Sequence, residues 1–117
     1  MLRLLILSVT GLWLSVSHAF AIDCMRPLPP EIPDGSTASR DEMVAASDAI
    51  QVFVDESERY LDCLKVQESL IPPNELSAQR QALMAQQHNA AVTGMEKVAS
   101  RYNEAVRAYK ESRKAAE

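Results

Sequence analysis

The sequence predicts an all-α fold: an antiparallel two-helix hairpin with a proline-rich N-terminal strap pinned by one disulfide. Three observations predict it: two long apolar patterns with helical spacing, a Pro-Pro pair between them, and two cysteines that join the segment before the first helix to that helix. Among the 117 residues, 47% are hydrophobic and three are glycine. This composition excludes a disordered or collagen-like chain, and the net charge of −4 argues against a nucleic-acid binder.

Residues 1–21 have the three parts of a secretory signal peptide. Arg3 precedes an apolar run from Leu4 to Leu14, and Ala19-Phe20-Ala21 forms a small-x-small cleavage site. The run has about 11 residues, whereas a bilayer span takes about 20. We therefore expect cleavage after Ala21, a periplasmic or secreted location and no transmembrane segment after cleavage. An uncleaved membrane anchor is the alternative.

Cys24 and Cys63 are the two cysteines, and both remain after this cleavage. In an oxidising compartment an even pair is most simply one disulfide. Closing a loop of roughly 40 residues contributes about 4 kcal/mol in the chain-entropy model. Two unpaired buried thiols are the alternative.

Residues 22–38 form the predicted strap, because four of the six prolines fall there and disfavour a helix. Pro33-Asp34-Gly35 is a turn signal. From Cys24 to Ser39 an extended chain reaches about 46 Å, which is enough to run back along the first helix to Cys63. We expect Leu28 and Ile32 to cover apolar surface between the helices.

Residues 39–117 form the predicted hairpin, and its first helix spans 39–70. Ser39 and Glu42 have the spacing of a capping box at its start, and the turn at 71–74 ends it because of the two prolines. The apolar stripe of this helix alternates spacings of three and four: Met43, Ala46, Ile50, Phe53, Ser57, Tyr60 and Leu64.

The second helix is predicted over 75–113, with Asn74 as its N-cap. Its stripe keeps the alternation typical of a coiled coil: Met84, His88, Ala91, Met95, Val98, Tyr102, Ala105 and Tyr109. We interpret Gly94 as a site of close approach to Ile50 or of a slight bend. Folding about residue 72 would set Phe53 against Ala91.

Charge supports the antiparallel arrangement. Residues 22–75 carry 12 acidic and 4 basic side chains, whereas residues 76–117 carry 4 acidic and 7 basic side chains. The hairpin places the acidic first helix beside the basic end of the second. Exposed pairs are worth about 0–1 kcal/mol each, so they select the orientation more than they stabilise it.

Few residues suggest site chemistry. Met84, His88 and Met95 share a helix face and are the candidate soft ligands for a copper ion; the alternative, which we favour, is core packing with His88 at a solvent-accessible edge. With one histidine after cleavage and both cysteines in a bridge, no catalytic constellation assembles. We expect no enzyme activity, no metal site and no cofactor.

The end of the second helix is the candidate partner-binding site. Folding near residue 72 places Ser39 opposite Ala105, so the residues beyond it should project past the first helix without an intramolecular partner. They combine two apolar side chains with four cations: Val106, Arg107, Tyr109, Lys110, Arg113 and Lys114. Such an end can bind an acidic protein, an anionic lipid surface or a second copy of the chain. A frayed, solvated terminus is the alternative.

Several short motifs along the chain resemble those of a group of short exported proteins of Gram-negative bacteria with no characterised activity. The resemblance rests on Cys24, Pro27, Ile32-Pro33-Asp34-Gly35, Ala38-Ser39, Met43, Tyr60-Leu61-Asp62-Cys63-Leu64, His88-Asn89, Val98-Ala99 and Tyr102-Asn103. It covers most of the chain after residue 21. It implies an envelope location and supplies no ligand, partner or catalytic residue.

Two functions remain as hypotheses. The first, which we favour, is a non-enzymatic interaction module that binds an unknown protein or an envelope surface, or forms a homodimer. The second is a small-ligand or metal-binding periplasmic carrier that uses the groove beneath the strap or the methionine-histidine face.

Overall fold

A computed structural model describes residues 23–117 of the chain, and the predicted signal peptide lies outside the described residues. Two long helices, α1 (Arg40–Ser69) and α2 (Ala78–Ala115), are joined by a segment that contains a short 3₁₀ turn (Pro73–Glu75). The described part contains no strand. The helices pack against each other as a hairpin, which confirms the predicted all-α fold.

The start of α1 is the predicted capping box. The backbone N–H of Ser39 donates to the Glu42 carboxylate over 2.7 Å, and the backbone N–H of Glu42 donates to the Ser39 hydroxyl oxygen over 3.2 Å. The hydrogen bond from the Ser39 backbone lowers the pKa of Glu42, because it stabilises the ionised carboxylate. The ionised side chain thus satisfies a backbone donor that the helix itself leaves unpaired.

The start of α2 differs from the prediction, because Ser77 rather than Asn74 is the N-cap. Ser77 has the extended backbone that an N-cap needs, and its hydroxyl oxygen accepts from the backbone N–H of Arg80 over 3.2 Å. Asn74 lies inside the 3₁₀ turn that Pro73 begins. The chain therefore uses three more residues to reverse direction before the second helix can begin.

The core is a narrow seam between the helices. Its buried residues follow the predicted stripes: Met43, Ala46, Phe53, Ser57, Tyr60 and Leu64 on α1, with Ala91, Val98 and Ala105 on α2. At the open end the Tyr102 hydroxyl donates to the Met43 carbonyl over 3.1 Å, as the expected register requires. Ala91 packs with Tyr60 and Leu64, whereas we had expected Phe53. The pairing of Ala91 therefore differs from the expected register, whereas the pairing of Tyr102 with Met43 agrees with it.

The strap explains how so narrow a seam is covered on one side. Four of its half-buried residues, Cys24, Pro27, Pro30 and Pro33, recur at every third position, which is the period of a polyproline II helix. Ile32 is half-buried as expected, but Leu28 is 89% exposed and does not cover the seam. The threefold period turns Leu28 outward, one position after an inward proline.

Four contacts along its length hold the strap to both helices. The Cys24–Cys63 disulfide ties its start to α1, with the two Cα atoms 5.7 Å apart. The Arg26 guanidinium then donates to the Ala90 carbonyl of α2 over 3.0 Å. Near the strap's end, buried Gly35 lies directly against the Ala105 backbone, and the Ser36 carbonyl accepts from the Ser112 hydroxyl over 2.9 Å. The strap thus crosses from one helix to the other.

The two glycines of the described chain mark places where the strap approaches α2. Gly35 has no room for a Cβ, because that atom would overlap the carbonyl group of Ala105. At Gly94 a Cβ would lie 3.3 Å from the Arg26 guanidinium nitrogen, and we had expected Ile50 as the neighbour there. Neither glycine has a positive φ. Space rather than backbone conformation therefore accounts for glycine at residue 35.

Candidate partner-binding surface

The end of α2 presents four exposed cations beside two half-buried apolar side chains. Arg107, Lys110, Arg113 and Lys114 are exposed, whereas Val106 and Tyr109 are half-buried. The Arg113 guanidinium lies 4.9 Å from the centre of the Tyr109 ring, which is a cation–π distance. These six residues, called the basic end below, are all helical, because α2 extends to Ala115.

No carboxylate neutralises the basic end within residues 23–117. The one ion pair within 4.0 Å in this part of the chain joins Lys65 to Asp62, near the opposite end of the hairpin. The Glu104 and Glu111 carboxylates lie on the same helix, but neither forms an ion pair at that distance with the cations of the basic end. The four positive charges are therefore available to a ligand.

The projecting part of α2 is shorter than the sequence suggested. The turn at Asp34 to Thr37 lies against α2, so that Gly35 contacts Ala105 and Ser36 accepts the hydrogen bond from Ser112. The expectation that the end has no intramolecular partner was therefore wrong for one side of the helix. Sequence reasoning placed the turn correctly but could not show that it folds back beyond the start of α1.

The turn that makes this contact is itself tightly bonded. The Asp34 carboxylate accepts from both the hydroxyl and the backbone N–H of Ser36, over 2.6 and 2.9 Å. The hydroxyl hydrogen bond lowers the pKa of Asp34, and the backbone hydrogen bond lowers it further. The ionised Asp34 thus holds the turn in the shape that brings Ser36 to Ser112.

The candidate copper ligands are only partly brought together. Met84 and His88 line one groove of about 380 Å³ between the helices, together with Leu61 and Leu64. Met95 lies two turns further along α2 and does not line this groove. Residues 23–117 contain no group of three or more His, Cys, Asp or Glu side chains suited to a metal ion. His88 is exposed, as expected for a histidine at the solvent edge of the stripe.

The space beside the strap is a set of open grooves. The largest, of about 860 Å³, lies between the strap prolines and the alanines of α1, with Val98 and Arg101 on the α2 side. A second groove of about 680 Å³ is bordered by Arg26 and Lys97. Both are shallow surfaces along the strap, so neither encloses a small ligand as a typical binding pocket does.

No family model, curated protein or solved structure matches the chain. The helices of residues 23–117 include none with the length and apolar character needed to cross a membrane. The function is therefore inferred from the charge, exposure and contacts of the surfaces described above.

Proposed function

We propose that the protein is a non-enzymatic interaction module, periplasmic or secreted after signal-peptide cleavage, that binds an acidic partner through the basic end of α2. The observation that supports this most directly is the set of four exposed cations without an ion pair in the described chain. Val106 and Tyr109 add apolar contact area beside them. Charged residues that surround apolar anchors are typical of protein-binding surfaces.

A rigid helix makes this surface more suitable for recognition than a frayed terminus. The hydrogen bond from Ser112 to Ser36 holds the middle of the basic end against the strap turn. A helix already fixed in its bound conformation loses less conformational entropy on binding. The opposite side of this part of α2, which carries Arg107, Lys110 and Lys114, stays exposed to a partner.

The structure also determines how the proposal should be tested. Truncation after Ala105 would remove Ser112 and disturb the strap, so charge reversal is the better perturbation. The test variant carries Lys110→Glu with Lys114→Glu. The matched control carries Lys65→Glu with Arg80→Glu, which changes the net charge equally at exposed positions near the other end of the hairpin.

The measurement is chemical cross-linking and capture from intact envelopes, followed by elution with increasing salt. An acidic protein should be captured by the unchanged protein and by the control, and should elute as salt screens the charges. Capture should fail for the Lys110/Lys114 variant while circular dichroism shows the same helix content. Equal capture by both double variants would refute a role for the basic end.

A further inference from the structure

The strap covers only one side of the seam between the helices. Its contacts with α2 fall at Ala90, Ala105 and Ser112, which share one side of the helix. The opposite side of the hairpin, called the open face below, carries a second set of apolar residues that border none of the grooves along the strap. These are Ile50, Val54 and Leu61 on α1, with Val92, Met95, Ala99 and Val106 on α2.

The open face has the residue pattern of a helix-packing surface. Val92, Met95, Ala99 and Val106, with Tyr102 between the last two, follow one another at spacings of three and four. All five of these residues are uncharged. The residues of the open face are half-buried, apart from exposed Ala99, so the hairpin alone leaves part of their surface in water.

The area is sufficient for a stable dimer. Leu61 lies beside Met84 in the groove between the helices, so the open face reaches from the level of Met84 to Val106, over which α2 rises about 33 Å. Because two adjacent helices are about 20 Å wide, burying this face would remove about 660 Å² of surface from each copy, or about 1,300 Å² in total. Specific protein interfaces bury about 1,200–2,000 Å². The open face therefore matches in size the surface that two such hairpins need to form a four-helix bundle.

We propose that the open face binds a second copy of this chain, with the two hairpins side by side and their connecting turns at the same end. In this twofold arrangement α1 packs on α2 of the other copy. With the turns at opposite ends, α1 would instead pack on α1 and place two acidic helices side by side, with Asp55, Glu58 and Asp62 at the margin of the open face. The repulsion between two acidic helices selects against that alternative.

The net charges of the parts of the chain before and after residue 75 favour the same choice. Residues 22–75 have a net charge of −8 and residues 76–117 have a net charge of +3. Packing α1 on α2 of the other copy places the acidic first turn of α1, with Asp41 and Glu42, near the basic end of its neighbour. This dimer goes beyond the proposed function, because it uses the open face, which shares only Val106 with the basic end.

The first test is the mass in solution by sedimentation equilibrium from about 1 to 200 μM. The unchanged protein should be a dimer at the upper concentrations. Ala99→Glu should raise the dissociation constant at least about tenfold, and because Ala99 is exposed this change does not disturb the fold of one copy. The control is Ser100→Glu, an exposed neighbour turned about 100° away. A monomer throughout, or equal dimerisation by both variants, would overturn the proposal.

The second test is the orientation, by cross-linking introduced cysteines with a short bismaleimide. A mixture of Ile50→Cys and Met95→Cys proteins should form covalent dimers, whereas Val54→Cys alone should not. Cross-linking of Val54→Cys alone would show α1 on α1 and refute the same-end arrangement. Ala99→Glu keeps the basic end, so it should still capture an acidic partner. Loss of both dimer and capture would show that the two activities share one surface.

Discussion

Substituting alanine at the two glycines of the described chain should have opposite effects on stability. At Gly35 a methyl group would overlap the carbonyl group of Ala105 and lie 2.6 Å from its carbon atom, about 0.9 Å inside the 3.5 Å that carbon atoms prefer. Because that neighbour is backbone of a long helix, the strap turn itself must move. Overpacking of this kind costs about 1–3 kcal/mol.

At Gly94 the nearest atom to an added methyl group is the end of the flexible Arg26 side chain, 3.3 Å away. A shift of a few tenths of an ångström relieves this contact. Replacing glycine by alanine inside a helix contributes about 1 kcal/mol. Gly94→Ala should therefore be neutral to stabilising by up to about 1 kcal/mol, even though Arg26 must adjust its hydrogen bond to Ala90.

Thermal unfolding followed by circular dichroism measures both effects. For a domain of this size 1 kcal/mol corresponds to about 4–8 °C in Tm. Gly35→Ala should lower Tm by at least about 4 °C, and Gly94→Ala should leave it unchanged or raise it. A Ser36→Ala control keeps the Ser36 carbonyl that Ser112 uses, and so should shift Tm less than Gly35→Ala. Equal losses at both glycines would refute the spatial explanation.

Three further predictions follow from the strap, the seam and the hydrogen-bonded carboxylates. Cys63→Ser should lower the free energy of unfolding by about 4 kcal/mol, measured by chemical denaturation, through loss of the loop constraint; a loss below about 1 kcal/mol would contradict this. Phe53→Ala should cost about 3–5 kcal/mol because Phe53 is 6% exposed, whereas Val66→Ala at a 48% exposed position should cost far less. The pKa values of Glu42 and Asp34 are lower in the folded protein than their ordinary values near 4, so the ionised carboxylates stabilise the fold at any pH above those ordinary values. This contribution to the free energy of unfolding is lost as the pH falls through the lowered pKa values. Glu42→Gln should flatten that part of the curve of unfolding free energy against pH, and an unchanged slope would exclude the capping box as its source.

The sequence predicted those parts of the fold that depend only on residues close to one another in the chain. The Ser39–Glu42 box, the extended proline segment and the stripe that contains Phe53 depend on spacing within a few residues, and the structure reproduces each of them. Asn74 and Ser77 are both good N-caps. Only the length of the chain reversal between the helices decides between them, and that length depends on how the two helices pack.

The contacts of the strap with α2 could not be predicted from spacing. Gly35 was identified as a turn residue, but its contact with Ala105 depends on where a helix 70 residues later in the chain lies. Leu28 points outward because of the threefold period of the strap. The sequence predicted that the strap is extended, but not which of its side chains face the helices. The candidate site was likewise identified by charge, while its contact through Ser112 was missed.

The position of the disulfide has a consequence for the order in which the protein assembles. Cys24 and Cys63 both precede α2 in the chain and lie 39 residues apart. If the chain is exported from its N-terminus, both thiols reach the oxidising compartment before most of α2 does. The strap and α1 can then be joined covalently while α2 is still absent. The second helix would then pack against a strap and an α1 that are already joined, and the basic end would be the last part of the chain to be exported.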